Sequence, residues 1–220
     1  MTCLEAVVVT TMKSLDKPTV AAYLDRVIFN ELPFREQHNP KVVVLFSGGN
    51  GVGKSTLARY LQQEFKALVT ENDAIRTALL DYEPELINDR ERLGNVMWNY
   101  TTDLYPSLAS RTPNGLVVRD AVVDWSFEKI IPMFQQAGYK LFIVRFELSR
   151  EKRIELLKAR GGKQWISLEN FIEMMDLHDM HAARFLSQYT PDVVLTDETV
   201  FQYQNVAKAL TKKLQSINTQ

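Results

Sequence analysis

Residues 48–56 read Gly-Gly-Asn-Gly-Val-Gly-Lys-Ser-Thr and directly follow the apolar run Val42 to Phe46. Gly-x-x-x-x-Gly-Lys-Ser between a buried strand and a helix is a phosphate-binding device. Its glycines let the main chain turn so that successive N–H groups converge on one anion. The residues that build this cradle are Gly48, Gly49, Asn50, Gly51, Val52, Gly53, Lys54, Ser55 and Thr56. The following helix presents its positive end to the same anion. The pattern expects Lys54 to reach the β- and γ-phosphates of a nucleotide and Ser55 to bind Mg²⁺.

Three further groups of polar residues could act on that phosphate. Glu71-Asn72-Asp73-Ala74-Ile75-Arg76 begins 17 residues after Lys54, just past a short apolar segment. Transfer to a hydroxyl needs a carboxylate within hydrogen-bond reach of the acceptor, and Asp73 has the right type. Asp is also a favoured helix cap, and Ala74 to Leu80 is a good helix start, so the two roles stand side by side. Arg150, Arg153 and Arg160 are spaced 3 and 7 apart and fall near one face of a helix. The structural alternative is a solvated basic face paired with Glu151 and Glu155. Asp120, ending the run Leu116-Val117-Val118-Arg119, would meet a ligand at the carboxyl ends of the strands. Asp124 is its competitor.

Absent motifs narrow the class. There is no Asn-Lys-x-Asp for reading guanine and no apolar strand ending in Asp-Glu for activating water. The Asp73-x-x-Arg76 element resembles that of the polynucleotide-kinase-like and zeta-toxin-like group of P-loop kinases. The resemblance implies that Asp73 takes the proton of the acceptor hydroxyl and that Arg76 orients the acceptor or its phosphate. It also places a lid after the fourth strand, with an Arg-Gly pair closing the first lid helix, which lands on Arg160-Gly161. Where that group often has another arginine, this chain has Leu156, and Arg153 is positioned to take over. Asp120 then lies near Mg²⁺ or the acceptor, although Arg119 inside the apolar run departs from the pattern. The loop Thr196-Asp197-Glu198-Thr199 is where related kinases wrap the base, so ATP is an expectation from the group. The resemblance spans about residues 41–214.

These residues need a scaffold, and the periodicity supplies one. Short strands are expected at 42–46, 67–69, 116–118, 141–146 and 193–195. Helices are expected at 16–32, 54–65, 73–80, 90–110, 126–137 and 149–160, from Ser167 onward, and at 200–214. Phe171, Met174, His178, Ala182 and Phe185 mark the inner face of the helix after Ser167. Alternation of strand and helix means parallel βαβ units. The expected fold is an α/β P-loop kinase-type three-layer sandwich with a five-stranded parallel sheet. Residues 1–40 form a helical extension, and 41–220 form the kinase-like domain, with a lid at about 149–187. Gly161 and Gly162 could hinge that lid.

Bulk properties exclude other classes. With 26 Lys and Arg against 27 Asp and Glu, no basic field draws in nucleic acid, so a nucleic-acid acceptor is not favoured. Cys3 is the single cysteine, which rules out an internal disulfide and suits a reducing, cytoplasmic setting. No apolar stretch is long enough to cross a membrane. His178 and His181 are spaced i, i+3 without a closing ligand set, and read as helix-surface histidines rather than a metal site. Trp98, Tyr100, Trp125 and Trp165 are candidates for an acceptor pocket.

The sequence therefore points to an ATP- and Mg²⁺-dependent kinase acting on an unidentified hydroxyl. The rivals are a nucleotide-driven ATPase or switch, a toxin-like sugar-nucleotide kinase and a nucleic-acid 5′-hydroxyl kinase.

Overall fold

The computed structural model describes residues 41–106, 108, 112, 114–161 and 167–218, together with Ala22 and Arg26. The remainder of the expected N-terminal helix and its following loop, Cys3, Gly162 and Trp165 lie outside the described residues.

The apolar run builds β1 (Lys41–Ser47), whose Val42 to Phe46 are completely buried. Burial on both faces is what a central parallel strand requires. Around it stand β2 (Leu68–Glu71), β3 (Leu116–Val122), β4 (Tyr139–Phe146) and β5 (Val193–Leu195). All pairings are parallel, in the order β2-β3-β1-β4-β5.

Helices cover both faces. On one side lie α1 (Lys54–Phe65) and α8 (Tyr203–Asn218), which bury Leu57, Leu61, Val206 and Leu210 against Val42, Val44 and Phe46. On the other lie α2 (Asn72–Tyr82), α3 (Arg90–Leu104), α4 (Phe127–Gln136) and α7 (Met175–Leu186). They pack Leu79, Met97, Ile130 and Phe185 against Val43 and Leu45. The expected three-layer α/β sandwich is the fold observed.

The segments that carry chemistry differ from the sequence reading at their ends. The β2 ladder continues past the apolar triplet through Thr70↔Arg119 and Glu71↔Asp120. β3 likewise runs on to Val122, with a register shift against β1 between Leu45 and Phe46. Arg119 and Asp120 are therefore strand residues. Apolar runs mark strands only where both faces are packed, and these tails line a cleft.

The helix expected over 90–110 ends at Leu104. The one expected from Ser167 divides at Met174 into α6 (Leu168–Glu173) and α7. Met175, not Met174, is the buried methionine. Both satisfy helical spacing from Phe171, so periodicity could not choose between them. Between β4 and α6 runs α5 (Arg150–Arg160), capped by Ser149, whose side chain accepts from Lys152 N.

Candidate active site

The phosphate-binding loop crosses from β1 to α1 beside a cleft of about 870 Å³. A Cβ at Gly51 (φ 75°) would lie 2.7 Å from Leu157 Cγ of α5, so side chain and lid helix exclude each other there. A Cβ at Gly48 (φ 128°) would lie 2.9 Å from Phe146 O. The Gly48 amide donates to Asp124 Oδ2 at 2.9 Å, and Asp124 is 1% exposed. Asp124 thus braces the loop from beneath. Asp120, on the strand itself, lines the cleft with Ser55, whose hydroxyl opposes the rise that burial imposes on the Asp120 carboxyl pKa.

Lys54 is buried and turns its ammonium onto the carbonyl oxygens of Gly48 and Gly49. Burial lowers its pKa to about 8, against the opposing pull of Asp120 and Asp124. Burial likewise raises the carboxyls of Asp120 and Glu71 above their usual range, and Asp120 pushes Glu71 further. These two carboxylates face each other in register across β2 and β3, beside the Ser55 hydroxyl.

Among the described residues no cluster of three or more His, Cys, Asp or Glu could hold a metal ion. Mg²⁺ asks for less. It binds through one or two carboxylates, with phosphate oxygens and waters completing its shell. Ser55, Asp120 and Glu71 suit that chemistry, and a divalent cation would relieve the crowding of the two carboxylates.

Glu71 ends β2, and α2 starts at once with Asn72. The Asp73 side chain does not cap the helix. It pairs with Arg76, Asp73 Oδ1 to Arg76 Nη1 at 2.9 Å, and both residues line the cleft. Arg160 closes α5 on the opposite side, its guanidinium carbon 5.4 Å from the Phe171 ring centre. Burial lowers its pKa, while Asp120 raises it.

The other arginines of α5 have different partners. Arg150 pairs with Asp176 at 2.6 Å. Arg153 makes a two-pronged contact with Asp179, at 2.7 and 2.8 Å. These contacts strap α5 to α7 on matched three-residue steps. Arg153, expected to stand in for the missing arginine at 156, has Asp179 as its partner in the nucleotide-free protein. Arg153 is 7% exposed, and its Nη1 would lie 3.5 Å from a Cβ at Gly49, beside the loop.

His178 also differs from its surface reading. It is 4% exposed and packs from α7 against Asn50 of the loop and Trp125. The Trp125 indole N–H donates to Nδ1 at 2.8 Å, and the Asn50 side-chain amide lies 2.9 Å from Nε2. An indole N–H only donates, so Nδ1 accepts and the neutral ring carries its proton on Nε2. Asn50 then satisfies the ring with its amide oxygen. Trp125 in turn stacks on His181, ring centres 4.2 Å apart.

Burial first, then Lys54, lowers the His178 pKa to about 4, with Arg153 and His181 adding to it and Asp179 opposing. Unfolded, the group titrates near 6.5, so it has no effect on stability above that pH. It destabilises the fold increasingly as pH falls from 6.5 to about 4. Melting curves of the parent and His178→Gln across this window are expected to differ in slope, the variant being flatter. Parallel curves would show that the ring does not stay neutral.

Of the described aromatic pocket candidates, Trp98, Tyr100 and Trp125, only Trp125 lines the cleft. Tyr100 is in the core, and Trp98 packs beneath Lys129. The 196–199 loop is tied to the lid, Asp197 accepting from Ser149 N at 2.9 Å. Sequence reasoning missed Glu71, the Asp124 brace and the His178 contact. The only prior signal for the last was its place on the inner face of its helix.

Solved structures share this architecture. One is from the PezAT chromosomal toxin–antitoxin system of Streptococcus pneumoniae, with TM-score 0.60, 16% identity, and coverage of 86% of this chain and 81% of that one. A shikimate kinase from Bacteroides thetaiotaomicron aligns with TM-score 0.54 and 12% identity, over 78% of this chain and 98% of that one. A gluconokinase from Sinorhizobium meliloti aligns with TM-score 0.53 and 15% identity, over 84% and 98%. At such identities the likeness establishes the P-loop kinase fold. No curated protein is similar enough to match. Residues 43–180, well over half of the sequence and including the phosphate-binding loop, match the AAA domain family (AAA_33), and the chain belongs to that family.

Proposed function

We propose that this protein is an ATP- and Mg²⁺-dependent kinase that transfers the γ-phosphate to a hydroxyl of a small acceptor. The observation that carries the reading is one cleft lined by Lys54 and Ser55 of the loop, Asp73 and Arg76 of α2, and Arg160 of the lid. Phosphate-binding and proton-accepting groups there face a common space.

The loop amides and Lys54 hold the β- and γ-phosphates, and Ser55 with Asp120 would hold Mg²⁺. The bound cation would supply charge neutralisation on the phosphate oxygens. Asp73 accepts the proton as the acceptor oxygen bonds to the γ-phosphorus and the bond to the β–γ bridging oxygen breaks, releasing ADP. Arg76 holds Asp73 and the acceptor in place, and Arg160 offsets charge on the transferred group. The Asp73-x-x-Arg76 element supports placing the chain with the polynucleotide-kinase-like and zeta-toxin-like kinases.

Labelled transfer from [γ-³²P]ATP to a panel of sugars, nucleosides, hydroxy acids and 5′-hydroxyl oligonucleotides tests the reading. Asp73→Asn is expected to bind MgATP as the parent does and to transfer about 10²-fold more slowly. Transfer at the parent rate would remove Asp73 as the base. ATP hydrolysis by the parent without transfer to any acceptor would favour an ATPase.

A further inference from the structure

Arg119 is a charged side chain placed where a β-strand normally carries an apolar one. It is 4% exposed and lies on β3, opposite Thr70. Its Nε donates to the Tyr105 hydroxyl at 3.0 Å, and Nη1 approaches the carbonyl oxygens of Val122 and Ala121 at 3.3 and 3.4 Å. The guanidinium carbon stands 5.7 Å from the Tyr105 ring centre. Tyr105 is itself fully buried, and its hydroxyl donates to Asn72 Oδ1 at 3.4 Å. The guanidinium is therefore held in a fixed orientation and linked through Tyr105 to Asn72, the first residue of α2.

Its charge is not matched. Among the described residues Arg119 makes no ion pair, and its Nη2 donates to none of them. Two neighbouring arginines are different, since Arg145 faces Asp124 and Arg153 faces Asp179. Neutral acceptors orient a guanidinium without neutralising it, and a buried cation lacking a counter-charge is strongly unfavourable. Arg119 nevertheless lines the same cleft as Asp73 and Arg76. An oxyanion entering beside Asp73 would supply both the missing charge and the missing acceptor for Nη2. Guanidinium is matched in shape to carboxylate and phosphate.

We propose that the phosphate acceptor is an anionic hydroxyl compound, a carboxylate or a phosphate monoester, and that Arg119 reads its charged group. This deepens the kinase reading and rests on it. The anionic group is unchanged in the reaction. It fixes the compound on the β3 wall so that its hydroxyl meets Asp73, which takes the proton as the new phosphate ester forms and ADP leaves. Arg119 is a specificity-determining residue of the acceptor site.

The test uses matched acceptors with [γ-³²P]ATP. The carboxylate arm is glycerate and aldonates against their amides. The phosphate arm is glycerol 3-phosphate and nucleoside 5′-monophosphates against glycerol and nucleosides. One arm is expected to be used at least about 10²-fold better, in kcat/KM, than its neutral counterparts, because a site built around a charged hydrogen bond rejects an analogue lacking it. Arg119→Met is expected to reduce that ratio to near one through KM, and Arg119→Lys to keep part of it. Melting in saturating MgADP gives a second readout. The favoured anion is expected to raise the Tm of the parent and not that of Arg119→Met.

Transfer to neutral members as good as to anionic ones overturns the proposal and leaves the kinase standing. So does bound MgADP without transfer to any anionic member, and so does an unchanged ratio in Arg119→Met. Failure of MgADP to raise the Tm of the parent overturns the kinase reading itself.

Discussion

Lys54→Ala is expected to lower phosphoryl transfer by about 10³-fold or more and to weaken MgATP binding, because the proposed mechanism sets its ammonium on the β- and γ-phosphates. In the absence of nucleotide the Lys54 ammonium rests on the carbonyl oxygens of Gly48 and Gly49, neutral partners that offset its burial only in part. Its pKa is accordingly lowered to about 8. A triphosphate replaces those carbonyls with full negative charge and favours the protonated form.

MgATP affinity of the parent is therefore expected to hold below pH 8 and to fall by up to about tenfold per pH unit above it. Stability of the nucleotide-free protein moves the other way. The folded pKa of about 8 lies below the ordinary lysine value of 10.5, so burial of the charge destabilises the fold at pH 8 and below, and the loss is recovered between pH 8 and 10.5. Lys54→Ala removes both dependences. Calorimetric titrations at pH 7, 8 and 9 check this directly, and a parent affinity that does not change with pH would contradict the assigned contact.

Arg160→Met is expected to lower kcat by about 10³-fold with a much smaller change in the KM for ATP. The side chain reaches the cleft from the end of α5 and is drawn towards Asp120, yet makes no ion pair among the described residues. In the proposed mechanism a cation near Asp120 that makes no ion pair is available to the charge that develops on the transferred group. Methionine keeps the packing on Phe171 and removes the charge. Arg153→Met serves as the contrast, because Arg153 is bound to Asp179. That change is expected to lower the Tm by loosening α5 from α7. A kcat loss confined to Arg153→Met would reassign the lid cation.

The parts of this site that were legible in the sequence are those made by near neighbours in the chain. Gly48 to Thr56 forms its cradle locally, from main-chain turns and the end of α1. Asp73 and Arg76 meet because residues three apart share a helix face. Parallel strands flanked by helices were legible for the same reason, each element carrying its own period.

What was not legible depends on distant segments meeting. Asp124 reaches the Gly48 amide across 76 positions, and His178 reaches Asn50 across 128. A lone His on a helix gives no sign of which surface will cover it. Arg153 fits a phosphate contact by spacing alone, but α7 supplies Asp179 first. Arg119 looked only like a departure from an apolar run, because its partner Tyr105 follows α3 in a segment without a distinctive pattern.

The central claim is that the loop at 48–56 holds the phosphates of a nucleotide. A crystal structure of the full chain with Mg²⁺ and a non-hydrolysable ATP analogue tests it most directly. The β- and γ-phosphates are expected on the amides of residues 48–55, with Lys54 Nζ moved from the carbonyl oxygens to phosphate oxygens and Mg²⁺ at Ser55 and Asp120. An ordered nucleotide bound elsewhere, with Lys54 still on Gly48 and Gly49, would contradict it.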